Sequence, residues 1–99
     1  MNQQAMLRKM RQLQKEMLET QKQIEETLFT ATCFPVTGEM YGSRKDFKVS
    51  IDKDFVIEDE DDRETLEDAI VSVVNKLLKD IDKMTEEKMS KYQALTGFF

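Results

Sequence analysis

The first 28 residues combine a narrow apolar seam with an otherwise polar surface, in the repeat expected of a long helix. Apolar residues recur at alternating steps of four and three, with Thr20 filling one step: Met6, Met10, Leu13, Met17 and Ile24. This heptad spacing is narrower than the stripe that buries a helix in a globular core, and it is typical of a seam between paired helices. We therefore predict a helix over about residues 3–28, with Asn2 as its N-cap, that needs a partner helix along the seam.

The period changes after residue 28, where short β-branched and aromatic runs replace the heptad pattern. Residues 28–34 form the first candidate strand and residues 36–41 the second, with Pro35 between them. In residues 47–51 apolar and polar positions alternate, which predicts a third, half-buried strand. Three consecutive short strands within residues 28–52 indicate an antiparallel meander with one covered face.

A second helix is predicted over about residues 62–91, after an acidic connector. We expect it to begin near Asp61 or Asp62, with Asp61 and Glu64 as a capping box. Its apolar stripe is wide enough to cover a sheet and to contact a partner at once. The stripe consists of Leu66, Ala69, Ile70, Val73, Val74, Leu77, Leu78, Ile81 and Met84. With a short tail at residues 92–99, the pattern predicts a single α+β domain over residues 1–99.

The composition gives little support for an enzyme active site or a metal-binding site. The chain has no histidine, and its one cysteine, Cys33, lies in a strand-like segment, where we expect it to pack in the core. The acidic connector fits no calcium loop in either possible register, because the required glycine and final glutamate are missing. No apolar run approaches the roughly 20 residues of a membrane span, and the polar start does not resemble a signal peptide. We predict no catalytic residues, no metal site, no cofactor, no membrane or small-molecule partner, and a cytoplasmic location.

Charge is distributed unevenly along a chain whose net charge is -5. Residues 1–15 carry four basic and no acidic side chains, whereas residues 54–68 carry nine acidic and one basic. The acids have a complete structural explanation, because carboxylates near a helix N-terminus interact favourably with the macrodipole. Basic residues at a helix start oppose the macrodipole by a few tenths of a kcal/mol each. An anionic partner would explain them, although a solvated outer face of a coiled coil accounts for them about equally well.

Four stretches resemble the YbaB/EbfC family of small bacterial nucleoid-associated proteins. They are residues 6–17, rich in Met, Gln and Lys; residues 49–52; residues 64–71 leading to Asn75; and residues 87–91 followed by residues 95–97. The resemblance implies an α-β-β-β-α protomer with a three-stranded antiparallel sheet and two long helices. It also implies a tight homodimer that binds DNA with its paired helices protruding. Residues 30–36 depart from the family pattern, which usually has a glycine-rich stretch there.

The candidate sites follow from the basic face, the seam and the resemblance. The DNA-binding candidates are Arg8, Lys9, Arg11, Lys15, Lys22, Lys88 and Lys91. The dimerisation candidates are Met6, Met10, Leu13, Met17, Ile70, Val73, Val74 and Leu77. The leading hypothesis is a non-enzymatic homodimer, associated with the nucleoid, that clamps double-stranded DNA through the basic faces of two symmetry-related helices.

A protein–protein adaptor is the alternative, in which the seam or the acidic segment binds a basic partner and DNA has no role. The position of the acidic run at residues 58–62 discriminates between the two. Carboxylates beside the basic face of the first helix would repel phosphate, whereas carboxylates at the opposite end would leave DNA binding favourable. An enzyme is a distant third hypothesis, whose sign would be a deep pocket lined by Asp52, Lys53 and Asp54.

Overall fold

The computed structural model describes residues 2–93 of the chain. Its elements are α1 (Gln3–Glu26), β1 (Leu28–Cys33), β2 (Val36–Tyr41), β3 (Lys48–Ile51), α2 (Glu60–Met89) and a 3-10 turn (Ser90–Tyr92). The predicted α+β class and the order of helix, three strands and helix are confirmed. The predicted tail residues 94–99 lie outside the described part. The described part is elongated, with extents of 72 × 18 × 16 Å.

Helix α1 begins at the predicted residue and ends slightly earlier than predicted. The side chain of Asn2 accepts a hydrogen bond from the backbone N–H of Ala5 at 2.7 Å, which confirms it as the N-cap. The backbone becomes extended at Thr27, whose N–H donates to the carbonyl of Ile24 at 3.1 Å. Residues 2–9 are exposed, whereas Met17 and Ile24 are buried. Only the second half of α1 is therefore supported by the rest of the protomer.

The three strands form the predicted antiparallel meander, in the order β1-β2-β3. Val36, Gly38 and Met40 point toward α2 and are buried, because residues two apart in a strand share a face. A Cβ atom on Gly38 would lie 2.5 Å from Cγ1 of Val73, so the missing side chain lets α2 approach the sheet closely.

Helix α2 begins at Glu60, slightly before the predicted start, and Asp59 is its N-cap. The Asp59 carboxylate accepts from the N–H of Asp62 at 3.0 Å, and the Asp62 carboxylate accepts from the N–H of Glu58 at 2.9 Å. The predicted Asp61–Glu64 capping box is therefore wrong. In a run of consecutive acids several side chains have capping chemistry, and the sequence pattern did not single out the correct pair.

The main core lies between α2 and the first two strands. Its buried members are Val36, Met40, Ala69, Val73, Leu77 and Ile81. Val73 and Leu77 were predicted at the dimer contact, but their side chains are 1% and 0% exposed in the protomer. They belong to the protomer's own core and offer no surface to a second copy. Ile70 packs at the margin of this core, and both Ile70 and Val74 are half-buried.

A second, smaller core joins the end of α2 to α1. Tyr92 is 2% exposed and packs with Met17, while Leu13 and Met89 lie against this pair. The Tyr92 hydroxyl lies 3.4 Å from Oγ1 of Thr20. Tyr92, predicted as the first residue of a tail, is instead a structural anchor. The second half of the α1 seam is thus covered by the chain's own α2, and Met17 is buried within the protomer.

Cys33 is exposed, so the prediction that it packs in the core is wrong. Its partner in the register is Val36, which places it on the sheet face that α2 covers. It lies, however, at the very end of β1, an edge strand whose last residue receives no cover. Strand alternation predicts the face of a residue, but it does not show how far the covering helix extends.

The turn after β2 connects both helices to the sheet. The N–H of Gly42 donates to the carbonyl of Thr27 at 2.9 Å, and the Arg44 guanidinium pairs with the Asp82 carboxylate on α2. A Cβ atom on Gly42 would overlap the backbone carbonyl of Ile24, so this position requires glycine. This turn therefore joins the C-terminal end of α1, the sheet and the C-terminal third of α2.

Candidate nucleic-acid interface

The packing of α1 on α2 brings most of the predicted basic residues to one end of the protomer. Ile24 lines a cleft with Thr85 and Met89, whereas Leu13, nearer the start of α1, lies against the cluster that contains Tyr92. The two helices are therefore antiparallel over this region. The start of α1 extends beyond the Tyr92 contact, and we call its residues 2–12 the α1 tip.

All seven DNA-binding candidates are exposed to solvent. Within residues 2–93, the salt bridges join Arg44 to Asp82, Arg63 to Glu60 and Lys76 to Asp80, so none of the seven is paired with a carboxylate. Lys91 makes a different contact, with its Nζ atom 5.1 Å from the centre of the Tyr92 ring. Exposed cations without internal partners are free to contact phosphate, because no carboxylate must first be displaced.

The positive charge of this end comes from α1 rather than from α2. Lys88 and Lys91 are balanced in the sequence by Glu86 and Glu87, and Lys22 lies between several glutamates of α1. The first 15 residues, by contrast, carry only basic charge. The most strongly basic exposed surface therefore includes Arg8, Lys9, Arg11 and Lys15, which we call the basic quartet. Lys22, Lys88 and Lys91 remain predicted DNA-binding residues, but the neighbouring glutamates reduce the net positive charge around them.

The acidic run at residues 58–62 lies at the other end of the protomer. It surrounds the start of α2, whereas the α1 tip lies beyond the opposite end of that helix. The 30 residues of α2 span roughly 45 Å at about 1.5 Å per residue. This separation is several times the Debye length of about 8 Å at physiological ionic strength. In the protomer, therefore, the acids do not cancel the attraction of the basic quartet for phosphate.

A second, apolar surface lies on β3 and was not predicted from the sequence pattern. Val49 lies opposite Gly38 in the register and Ile51 opposite Val36, so both share the face that packs against α2. Each is nevertheless 46% exposed, because α2 packs over β1 and β2. The alternation in residues 47–51 predicted a half-buried strand. It did not indicate whether another part of the chain or a second chain would pack on the apolar face.

The described part of the chain shows neither a metal-binding cluster nor a membrane-spanning helix. Among residues 2–93, no group of three or more His, Cys, Asp or Glu side chains is arranged to hold a metal ion. Neither described helix is both long enough and apolar enough to cross a membrane.

Comparison with known proteins gives a family match and several relatives that cover most of the chain. Residues 1–96 match the model of the YbaB/EbfC DNA-binding family. A nucleoid-associated protein of Lactococcus lactis subsp. cremoris is 36% identical over 94 residues, which cover 93% of each chain. A nucleoid-associated protein of Streptococcus suis is 35% identical over 100 residues, which cover 99% of each chain. One of Ligilactobacillus salivarius is 35% identical over 94 residues, or 93% of this chain and 88% of the relative.

Proposed function

The chain belongs to the YbaB/EbfC DNA-binding family, and on that basis we propose that it is a homodimeric, nucleoid-associated protein that clamps duplex DNA through the basic faces of its two protruding α1 helices. The observation that carries this proposal is the basic quartet, exposed and unpaired on a projecting helix and far from the acidic run in the protomer. The same separation supports DNA binding over the adaptor alternative. The role is non-enzymatic and located in the cytoplasm, on the nucleoid.

The proposed contact is electrostatic. Lysine and arginine side chains that neutralise phosphates release condensed counterions, and this release provides affinity that does not depend on base sequence. The α1 tip has about 10 residues and a length of roughly 15 Å, which allows it to lie along a groove or across a phosphate strand. Any preference among sequences would then arise from the shape and deformability of the DNA.

A homodimer would cover apolar surface that the protomer leaves open. The large exposed apolar side chains include Val49 and Ile51 on β3, which lie on the α2 side of the sheet without cover from α2. Ile70 and Val74 of α2 are only half-buried and can contribute to the same contact. A second copy is the partner that we propose for this surface, because contiguous exposed apolar patches are rare on stable monomers. On α1, Met6 and Met10 remain accessible for pairing.

We expect Val49→Asp to shift the protein from dimer to monomer. A carboxylate at this position would be desolvated in the proposed interface without a partner, which costs several kcal/mol. Ser50→Asp is the matched control, because Ser50 is the next residue on β3 and points to the opposite face of the sheet. Multi-angle light scattering after gel filtration measures the mass of both variants. A dimer that survives Val49→Asp, or one that Ser50→Asp disrupts equally, would contradict this interface.

DNA binding itself is tested by fluorescence anisotropy with a labelled duplex at about 50 mM salt, where phosphate contacts are little screened. We expect saturable binding by the wild-type protein to duplexes of unrelated sequence. Absence of binding at this ionic strength would contradict the proposed function.

A further inference from the structure

A group of apolar residues, most of them exposed, lies at the acidic end of the protomer, and the proposed DNA contact does not use it. The rings of Phe34 and Phe55 meet edge to face, with their centroids 6.1 Å apart. Phe34 is 68% exposed, and Val56 and Ile57, which follow Phe55 in the chain, are 63% and 48% exposed. We call these four residues the end patch. An aromatic and aliphatic cluster of this exposure is typical of an interaction surface.

Carboxylates flank the end patch on both sides in the sequence. Asp54 precedes Phe55, Glu58 follows Ile57, and Asp61 lies in the first turn of α2. All three side chains are exposed, and within residues 2–93 none of them is paired with a basic group. The surface therefore suits a partner that presents apolar side chains surrounded by positive charge.

The α1 tip has this complementary character. Met6 and Leu7 are 50% and 51% exposed, and Arg8, Lys9 and Arg11 follow them on the same projecting helix. We propose that the α1 tip of one copy docks on the end patch of another, with Leu7 against the apolar side chains and the arginines against the surrounding carboxylates. The occupant is a second copy of this chain.

The shape of the protomer requires this contact to be intermolecular. The end patch adjoins the start of α2, and the α1 tip lies beyond the opposite end of that helix, so one protomer cannot join its own two surfaces. A contact between two different surfaces of identical subunits is heterologous, and it produces open chains unless the rotation closes a ring. The predicted product is an end-to-end assembly of copies, distinct from the twofold dimer.

The second part of the inference rests on the proposed function. DNA and the end patch would compete for Arg8 and Arg11, because the same guanidinium groups contact either phosphate or carboxylate. Assembly would therefore occupy the DNA-binding surface, and DNA binding would in turn dissociate the assembly. At a low local concentration of DNA the protein would therefore self-associate, and at a high one it would bind DNA instead.

Sedimentation velocity on the full chain tests the assembly. At about 30 mM salt we expect species larger than the dimer, increasing with protein concentration, and their loss at about 300 mM salt, where charges are screened within roughly 6 Å. A short DNA duplex added at low salt should also dissociate these larger species. Size distributions that are identical at both salt concentrations would overturn the inference.

Charge exchange identifies the two surfaces. We expect Glu58→Lys with Asp61→Lys to abolish the large species, as should Arg8→Glu with Arg11→Glu; combining all four substitutions in one chain should restore them. Loss without restoration would overturn the specific contact. The Glu58→Lys/Asp61→Lys variant retains the basic quartet and should still bind DNA in the anisotropy assay. Assembly without DNA binding would refute the proposed function alone, and DNA binding without assembly would refute this inference alone.

Discussion

Replacing Arg8, Arg11 and Lys15 with glutamate is expected to abolish DNA binding, with an affinity loss of at least about 100-fold at low salt. In a dimer the triple substitution changes the charge of both copies of the basic quartet from attractive to repulsive for phosphate. Each lost phosphate contact removes a counterion-release contribution, and each new carboxylate adds repulsion. Fluorescence anisotropy with a labelled duplex measures the loss.

The matched control reverses three basic residues outside the proposed interface. Lys45, Lys48 and Lys53 are exposed, and within residues 2–93 none of them forms a salt bridge. Their replacement by glutamate changes the net charge by the same amount but leaves the α1 tip unchanged. We expect a much smaller loss of affinity for this control. Equal losses in the two variants would show that net charge, and not the α1 tip, determines binding.

Replacing Tyr92 with alanine is expected to lower the free energy of unfolding by about 3–5 kcal/mol, the usual cost of removing a large aromatic ring from a core. The side chain is 2% exposed, and it fills the space between the end of α2 and Met17 on α1. This second core is small, so few neighbours can close the cavity. Urea denaturation followed by circular dichroism measures the change in stability.

Tyr92→Phe separates the ring from its hydroxyl. The phenylalanine keeps the packing against Met17 and loses only the 3.4 Å contact with Thr20, which is worth about 1 kcal/mol or less. We also expect Tyr92→Ala to weaken DNA binding, because the α1 tip would lose the anchor that orients it. If Tyr92→Ala were as stable as Tyr92→Phe, the second core would not hold α1 in place.

Much of the fold could be predicted from local pattern. The heptad spacing located α1, the Asn2 side chain located its start, and the turn-forming residues Pro35 and Gly42 marked the bounds of β2. These features depend on residues within a few positions of each other, and periodicity reports such relations directly.

The errors arise where the answer depends on distant residues. Tyr92 and Thr20 are 72 positions apart, so nothing near Tyr92 in the sequence indicated that it would be buried. Val73 and Leu77 lie on one wide stripe with Ile70 and Val74, and periodicity does not show which part faces the protomer's own sheet. The end position of Cys33 on an edge strand is likewise a property of the assembled sheet.

The residues of the candidate site could be predicted from the sequence, but their positions in the fold could not. The sequence showed four basic residues at a helix start and an acidic segment elsewhere, and it left their distance open. The antiparallel packing of α1 on the end of α2 separates the two by the length of a helix. The apolar surface on β3 around Val49 was missed, because a half-buried strand looks the same whether its cover comes from a helix or a second copy.

The most direct test of the central claim is the salt dependence of DNA affinity for the wild-type protein and for Arg8→Gln/Arg11→Gln/Lys15→Gln. The logarithm of the binding constant falls linearly with the logarithm of salt concentration, by about 0.9 for each phosphate contact in B-form DNA. We predict a steep slope for the wild-type protein and a slope shallower by several units for the variant, because each copy of the basic quartet loses three of its four proposed phosphate contacts. Identical slopes would contradict the account, since the basic quartet would then make no contact with phosphate.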